Sequence, residues 1–288
     1  MFIAIWLFIT AISVAAPERM QKRMIGGRNL TNLEYPWIVR ITEVEPEPIT
    51  HEPKTCTGVL LSEDFVLTVA SCFGKNRWEL FQSTVSSWYI EIRNALGEFM
   101  VARDIRLQVD TVIRPRVIKA GKPIINEIYE KGDQRYEGNV AILKLEIEDH
   151  SNALPSEYGK IMFRRNDSEL MPLENDTGVY VGWHRKVPIY GVVIPQSTNL
   201  RVLSEDDCIW AMGPEYNKKS QFCANTTPSS TVMFDTEATG GVFILQKSND
   251  EFVAGLLIGR AENDGPLIFT RVSYYYQWIL ETTVEIIN

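Results

Sequence analysis

The feature that most constrains this chain is a succession of short apolar or alternating runs, each closed off by turn residues. They are Trp37 to Ile41, Gly58 to Leu61, Phe65 to Val69, Trp88 to Ile92, Val140 to Leu145, Val179 to Trp183, Gly241 to Leu245, Phe252 to Ile258 and Leu267 to Thr270. Runs of this length and period suit strands and are too brief for helices, so the pattern predicts an all-β protein. Only near the end does the period change. Tyr276, Ile279, Leu280, Val284 and Ile287 fall on one face of a helix, with Ser273 placed as its N-cap. The polar stretch Glu148-Asp149-His150-Ser151-Asn152 before Pro155 divides the chain roughly in half and is the expected link between two barrels. No internal repeat is visible. Glu43-Val44-Glu45-Pro46-Glu47-Pro48 is expected to be an exposed acidic loop, because its prolines forbid a central strand.

At 288 residues, 45% hydrophobic and 23% charged, the chain is long and apolar enough for one large domain or two compact halves, and disorder is excluded. Lys and Arg total 29 against 37 for Asp and Glu, a net charge of -8 whose field repels nucleic acid and anionic lipid. Residues 1–15 carry no charge and lead into Ser13-Val14-Ala15-Ala16, the small side chains a signal peptidase requires. The n-region departs from the usual signal in having no Lys or Arg. No later stretch approaches the roughly 20 apolar residues of a membrane helix. The expected mature protein is therefore secreted and extracellular, with no membrane span.

Secretion makes Cys56, Cys72, Cys208 and Cys223 candidates for disulfides. Three pairings are possible. Two close pairs make local closure the simplest, and each bridge would contribute about 3 kcal/mol through loop entropy. No Cys-x-x-Cys spacing is present, so neither a metal site nor a cofactor is expected. Asn29, Asn166, Asn175 and Asn225 each open a glycosylation sequon, of which two or three are expected to carry glycans.

Arg23-Met24-Ile25-Gly26-Gly27, followed by Tyr35-Pro36-Trp37, resembles the activation junction of trypsin-like and chymotrypsin-like serine proteases. Cys56-Thr57-Gly58-Val59-Leu60-Leu61-Ser62 and Val66-Leu67-Thr68-Val69-Ala70-Ser71-Cys72 resemble that family's paired strands, with the two cysteines in bridging positions. Gly138-Asn139-Val140-Ala141-Ile142-Leu143-Lys144-Leu145 is similar to its buried strand, and Gly182-Trp183 to its mid-chain Gly-Trp. Cys208 with Phe222-Cys223-Ala224 matches the second-barrel disulfide, and Gly240-Gly241 and Thr270-Arg271-Val272-Ser273 to Trp278-Ile279 complete the order. The resemblance covers about residues 24 to 282. It implies two antiparallel Greek-key β-barrels with a C-terminal helix, the first over about 24–147 and the second over about 148–288. Residues 16–23 become a short propeptide-like segment, Arg23 a cleavage candidate, and Cys56–Cys72 and Cys208–Cys223 the disulfides.

Such a protease needs a hydroxyl nucleophile, an imidazole base and a buried carboxylate to orient it. The residue before the second cysteine of the first bridge, histidine in the family, is Ser71, whose hydroxyl cannot act as a base near neutral pH. The aspartate position is Asn139, which is uncharged. The nucleophile position is Thr239, and two residues earlier a glycine of the oxyanion hole is replaced by Glu237, whose charge opposes a developing oxyanion. Between them, Ala238 replaces the aspartate that receives the new N-terminus after activation. Met233 stands at the floor of the specificity pocket, where it cannot bind a basic side chain by charge. The third disulfide near that pocket is missing, with Asp235 at one of its positions. Of His51, His150 and His184, only His184 lies in a loop that runs near the active site in the family, and it is expected to be an ordinary loop residue.

The expectation is a secreted serine protease homologue without catalytic activity. It would bind an extracellular protein, such as a protease, zymogen or inhibitor, as cofactor, decoy or regulator in a proteolytic, immune or reproductive pathway. One alternative is a weak hydrolase using Thr239; another is a glycoprotein holding a ligand in the vacated cleft. Arg114-Pro115-Arg116, Lys119 and Lys122 are expected to form a solvated basic loop, and Tyr274, Tyr275 and Tyr276 core and rim positions.

Overall fold

A computed structural model describes residues 27–31, 34–44, 54–83, 86–92, 116–131, 136–147, 158–161, 170–183, 195–227, 239–262 and 265–285. The signal segment, the propeptide-like segment and the 148–152 link lie outside the described residues. The strands are β1 (Arg28–Asn29), β2 (Ile38–Val44), β3 (Thr55–Leu60), β4 (Phe65–Thr68), β5 (Ser87–Ile92), β6 (Arg116–Ala120), β7 (Ile124–Ile125) and β8 (Ala141–Lys144) in the first half. Then follow β9 (Thr177–Gly182), β10 (Gln196–Val202), β11 (Gln221–Thr226), β12 (Val242–Lys247), β13 (Asp250–Arg260) and β14 (Leu267–Arg271). Four helices accompany them: α1 (Arg77–Ser83), α2 (Glu127–Lys131), α3 (Glu205–Met212) and α4 (Tyr276–Glu285).

The strands make two antiparallel seven-stranded sheets, in the orders β6-β5-β2-β3-β4-β8-β7 and β1-β10-β11-β14-β13-β12-β9. Each curls onto itself. In the first, Ala120 at the end of β6 bridges Leu145 just past β8, and Gly121 and Glu146 donate backbone N–H groups to Lys144 and Lys119. In the second, β10 pairs with β9 along Gln196 to Arg201. Closure leaves few strand edges unpaired, and alternation sends one side of each strand inward. β5, for instance, buries Trp88, Ile90 and Ile92 and turns Tyr89 and Glu91 outward. The second barrel is filled by aromatics, with Phe222 stacked on Phe269 at 5.0 Å and Phe243 set edge-on to Phe222 at 5.4 Å. Two disulfides staple the barrels: Cys56 in β3 to Cys72 in the 3-10 turn after β4, and Cys208 in α3 to Cys223 in β11.

Several local expectations differ from the structure. Part of the basic segment is not a loop: Arg116 to Ala120 is strand β6, paired along β5, with Lys119 turned out to an ion pair with Glu146 at 2.8 Å, whereas Lys122 lies in an exposed connection and Arg114 and Pro115 lie outside the described residues. Glu43 is not in an exposed loop, since β2 carries it into the barrel wall, where it is buried and accepts a hydrogen bond from Ser86 Oγ. Ser273 does not cap the last helix; its hydroxyl donates to the Met171 carbonyl, and a 3-10 turn over Val272–Tyr274 precedes α4. Residues 28–29, within the segment assigned to the first barrel, pair instead with β10 of the second sheet.

That last pairing rests on a clamp. Arg28 holds both carboxylate oxygens of Glu34, at 2.8 and 2.6 Å, and Thr31 donates its N–H and its hydroxyl to the same carboxylate. These hydrogen bonds, the Arg28 guanidinium first, lower the Glu34 carboxyl from 4.5 to about 2. A depressed folded pKa stabilises the native state above the ordinary carboxylate value and loses that contribution as pH falls toward 2. Between about pH 4.5 and 2, the N-terminal strand should therefore loosen. Limited proteolysis near Arg28 should accelerate with an acid-stable protease across that window, and Glu34→Gln should give the accelerated rate at every pH.

Candidate active site

Of the three positions expected to match a catalytic triad, Ser71 and Asn139 are hydrogen-bonded to each other, and Thr239 meets β3 through its carbonyl where the barrels join. Ser71 lies in the 3-10 turn that Cys72 pins to β3, Asn139 stands two residues before β8, and Thr239 sits in the turn before β12. Asn139 is buried, whereas Ser71 and Thr239 are partly exposed. Asn139 Oδ1 accepts the Ser71 backbone N–H at 2.8 Å, and Asn139 Nδ2 donates to Ser71 Oγ at 3.1 Å. The first bond fixes the second. A backbone N–H can only donate, so the oxygen of the amide must face it, and the NH2 end is left facing the serine hydroxyl. Ser71 Oγ is thereby an acceptor toward Asn139. The pair closes on itself without a charge or a group that titrates near neutrality.

The backbone around these residues is tied from one barrel to the other. Thr57 of β3 donates its N–H to the Thr239 carbonyl at 3.1 Å, and its hydroxyl accepts the Trp183 N–H at 2.8 Å. Thr68 Oγ1 donates to the Thr57 carbonyl at 2.8 Å. In the opposite direction, Thr270 Oγ1 of β14 donates to the Asn139 carbonyl at 3.0 Å, and the Tyr275 hydroxyl accepts the Gly138 N–H at 2.8 Å. Gly240 follows Thr239 with φ +82, a left-handed conformation, and a Cβ there would strike the Thr57 carbonyl. Gly241 gives its space to the ring and hydroxyl of Tyr180, which fills the region behind the turn. Tyr180 is wholly buried, and burial pushes its phenol far above the ordinary range, so it stays neutral.

Glu237, Ala238, Met233 and Asp235 lie outside the described residues, as do Arg23, Asn166, His51, His150 and His184. The sequons at Asn29, Asn175 and Asn225 are on exposed residues; the Asn29 side-chain oxygen accepts from Gln196, and that of Asn175 from Arg201. Among the described residues no group of His, Cys, Asp and Glu has the arrangement of a metal site, and no helix is long and apolar enough to cross a membrane. A cavity of about 690 Å³ is bordered by Leu80, Pro123, Ile125 and Glu127, between α1, β7 and α2, and does not include Thr239. Sequence reasoning missed Thr57, Tyr180, Thr270 and Tyr275 as parts of this site. Thr57 was legible only as a neighbour of Cys56, and Tyr180 only as a large residue between Gly178 and Gly182; its packing on Gly241 joins residues remote in sequence.

The Asn139–Ser71 pair makes unequal demands on its members. Asn139→Leu removes both bonds from a buried side chain, leaving the Ser71 N–H without its acceptor, and should lower stability by about 1–3 kcal/mol. Ser71→Ala removes one bond at a half-exposed position and should cost about 1 kcal/mol or less. Urea unfolding of the two variants measures both, and an equal loss would contradict the assignment of the backbone bond to the asparagine.

Against known proteins, the family model described as Trypsin matches residues 24–279. Granzyme B(G,H) of Mus musculus is 26% identical over 285 residues, covering 96% of this chain and 98% of its own. Cathepsin G of Homo sapiens is 23% identical over 261 residues, covering 90% and 87%. Among solved structures, one described as the structure of GrC aligns with a TM-score of 0.59 at 20% identity, over 90% of this chain and 98% of that one. The scabies mite inactivated protease paralogue S-I1 aligns with a TM-score of 0.61 at 19% identity, over 90% and 99%. The solved structures carry the two-barrel fold, and the family model carries the kinship: the chain belongs to the trypsin family.

Proposed function

We propose that this trypsin-family chain is a secreted homologue without catalytic activity, acting by binding as a cofactor, decoy or regulator of an extracellular proteolytic pathway. The observation that carries the proposal is the closed Ser71–Asn139 pair. Proton transfer from an attacking hydroxyl needs a base of suitable pKa and a counter-charge for the cation it becomes. Here a hydroxyl and an amide occupy those places and satisfy each other. Glu237 at the oxyanion-hole position adds negative charge where catalysis requires stabilisation of a negative charge. Ala238 offers no carboxylate to an N-terminus released at Arg23. One solved structure of this fold is itself described as an inactivated protease paralogue, so the scaffold persists in that chain without the chemistry.

The alternative, a weak hydrolase, draws on Thr239, whose hydroxyl is retained, partly exposed and set just before Gly240-Gly241. A fluorophosphonate probe separates the two. The pseudoenzyme reading predicts no labelling at Thr239 with or without cleavage after Arg23; labelling lost in Thr239→Ala would establish the hydrolase instead. Reverting only Ser71→His and Asn139→Asp should leave the protein unlabelled, because Glu237 and Ala238 remain. Labelling is expected only when Thr239→Ser, Glu237→Gly and Ala238→Asp are added. Turnover by the double revertant would show that the oxyanion region is sound.

A further inference from the structure

The second disulfide has a consequence on its outer side. Cys208 is buried and joins α3 to β11, which fixes the rotation of that helix about its axis. At 3.6 residues per turn, position 210 lies about 200° from position 208, so the residue two after the anchored cysteine must point into solvent. That residue is Trp210, 90% exposed, beside Ile209 at 45%. An indole so fully displayed on a helix of eight residues is unusual, because Trp is highly buried on average. The helix backbone that carries it is capped at both ends. Ser204 caps the helix by accepting the Asp207 N–H at 3.1 Å, and the C-cap Gly213 N–H bonds back to the Ile209 carbonyl.

The charged residues on the indole's own face of the helix are acidic. Asp206 and Asp207 stand four and three positions before Trp210, on its own face of the helix, and Glu215 follows in the next turn. Glu205 is offset by Lys218 at 3.1 Å, and Asp207 accepts a hydrogen bond from Ser204 Oγ at 2.7 Å. Among the described residues neither Asp206, Asp207 nor Glu215 has a cationic partner. Carboxylates in a first turn also favour the helix dipole, but that role needs no indole beside them. An exposed ring face flanked by unpaired carboxylates is complementary to a cationic side chain, which gains a cation–π contact and a counter-charge together.

We infer that the Trp210 face of α3 is a docking surface for a protein partner presenting arginine or lysine, with the indole as its anchor. An aromatic side chain with two torsions on an ordered helix loses little entropy on binding, and the net charge of -8 steers cationic partners toward the molecule. The surface stands apart from the state of Thr239 and serves an enzyme or a pseudoenzyme equally.

The test uses the full mature glycoprotein and a hexa-arginine peptide carrying a benzophenone, with hexa-glutamate as control. Photocrosslinks from hexa-arginine are expected on Glu205 to Glu215, and calorimetric affinity should fall by about fivefold or more in Trp210→Ala. Asp206→Lys should weaken binding further; the urea midpoint should be unchanged in Trp210→Ala and slightly lowered in Asp206→Lys, which puts a cation in the first turn of α3. Equal affinity of Trp210→Ala and wild type, or crosslinks confined to other surfaces, would reduce the interaction to general charge attraction and overturn the proposal. Binding of hexa-glutamate at this face, or a dimer in sedimentation that Trp210→Ala dissolves, would overturn it as well, the latter by making a second copy of this chain the occupant.

Discussion

The seam between the barrels depends on Thr57. Its N–H holds the Thr239 carbonyl, its hydroxyl holds the Trp183 N–H, and its own carbonyl is held by Thr68. A buried peptide group left without a partner is expensive, so one fully buried threonine that serves three such groups sets where the second barrel can sit against the first. Thr270 and Tyr275 reciprocate from the second barrel onto Asn139 and Gly138. The consequence is that the backbone at Asn139 and at Thr239 is positioned by hydrogen bonds that do not involve their side chains. Side chains at those places can change while the geometry persists.

That separation explains how much of the molecule was legible in the sequence. Runs such as Phe65 to Val69 and Phe252 to Ile258 announced strands because both faces of each are buried in a barrel wall. β10 was missed because Gln196-Ser197-Thr198-Asn199 has no apolar period; it is a strand because β9, β11 and β1 all pair with it, a cause that lies in distant chain. β6 was hidden by Arg116 and Lys119, whose charge reads as loop although the alternate residues Ile118 and Ala120 face inward. Glu43 was read from its acidic neighbours, whereas the ladder to β3 and β5 dictates where it points. For the site, the altered triad positions followed from local motifs around Cys72 and Gly240. The reciprocal Ser71–Asn139 bonding did not, because it joins residues 68 positions apart.

The altered positions have become ordinary members of the fold. Ser71 and Asn139 complete each other, Thr239 contributes a carbonyl to the seam, and Tyr180 fills the space behind Gly240-Gly241 with a neutral phenol. A trypsin-family scaffold arranged in this way retains its disulfide-stapled barrels. On the proposed reading, function lies at the surface rather than in the cleft, and α3 displays there an indole beside carboxylates.

The central claim is that the seam persists while the chemistry has gone, and cleavage of a mixed peptide library tests it most directly. Purified mature protein, intact and cut after Arg23, would be incubated with the library beside Thr239→Ala, and products counted by mass spectrometry. The account predicts identical product spectra for wild type and Thr239→Ala, with the variant folded as stably as its parent. Cleavages made by the wild type and lost in Thr239→Ala would contradict it.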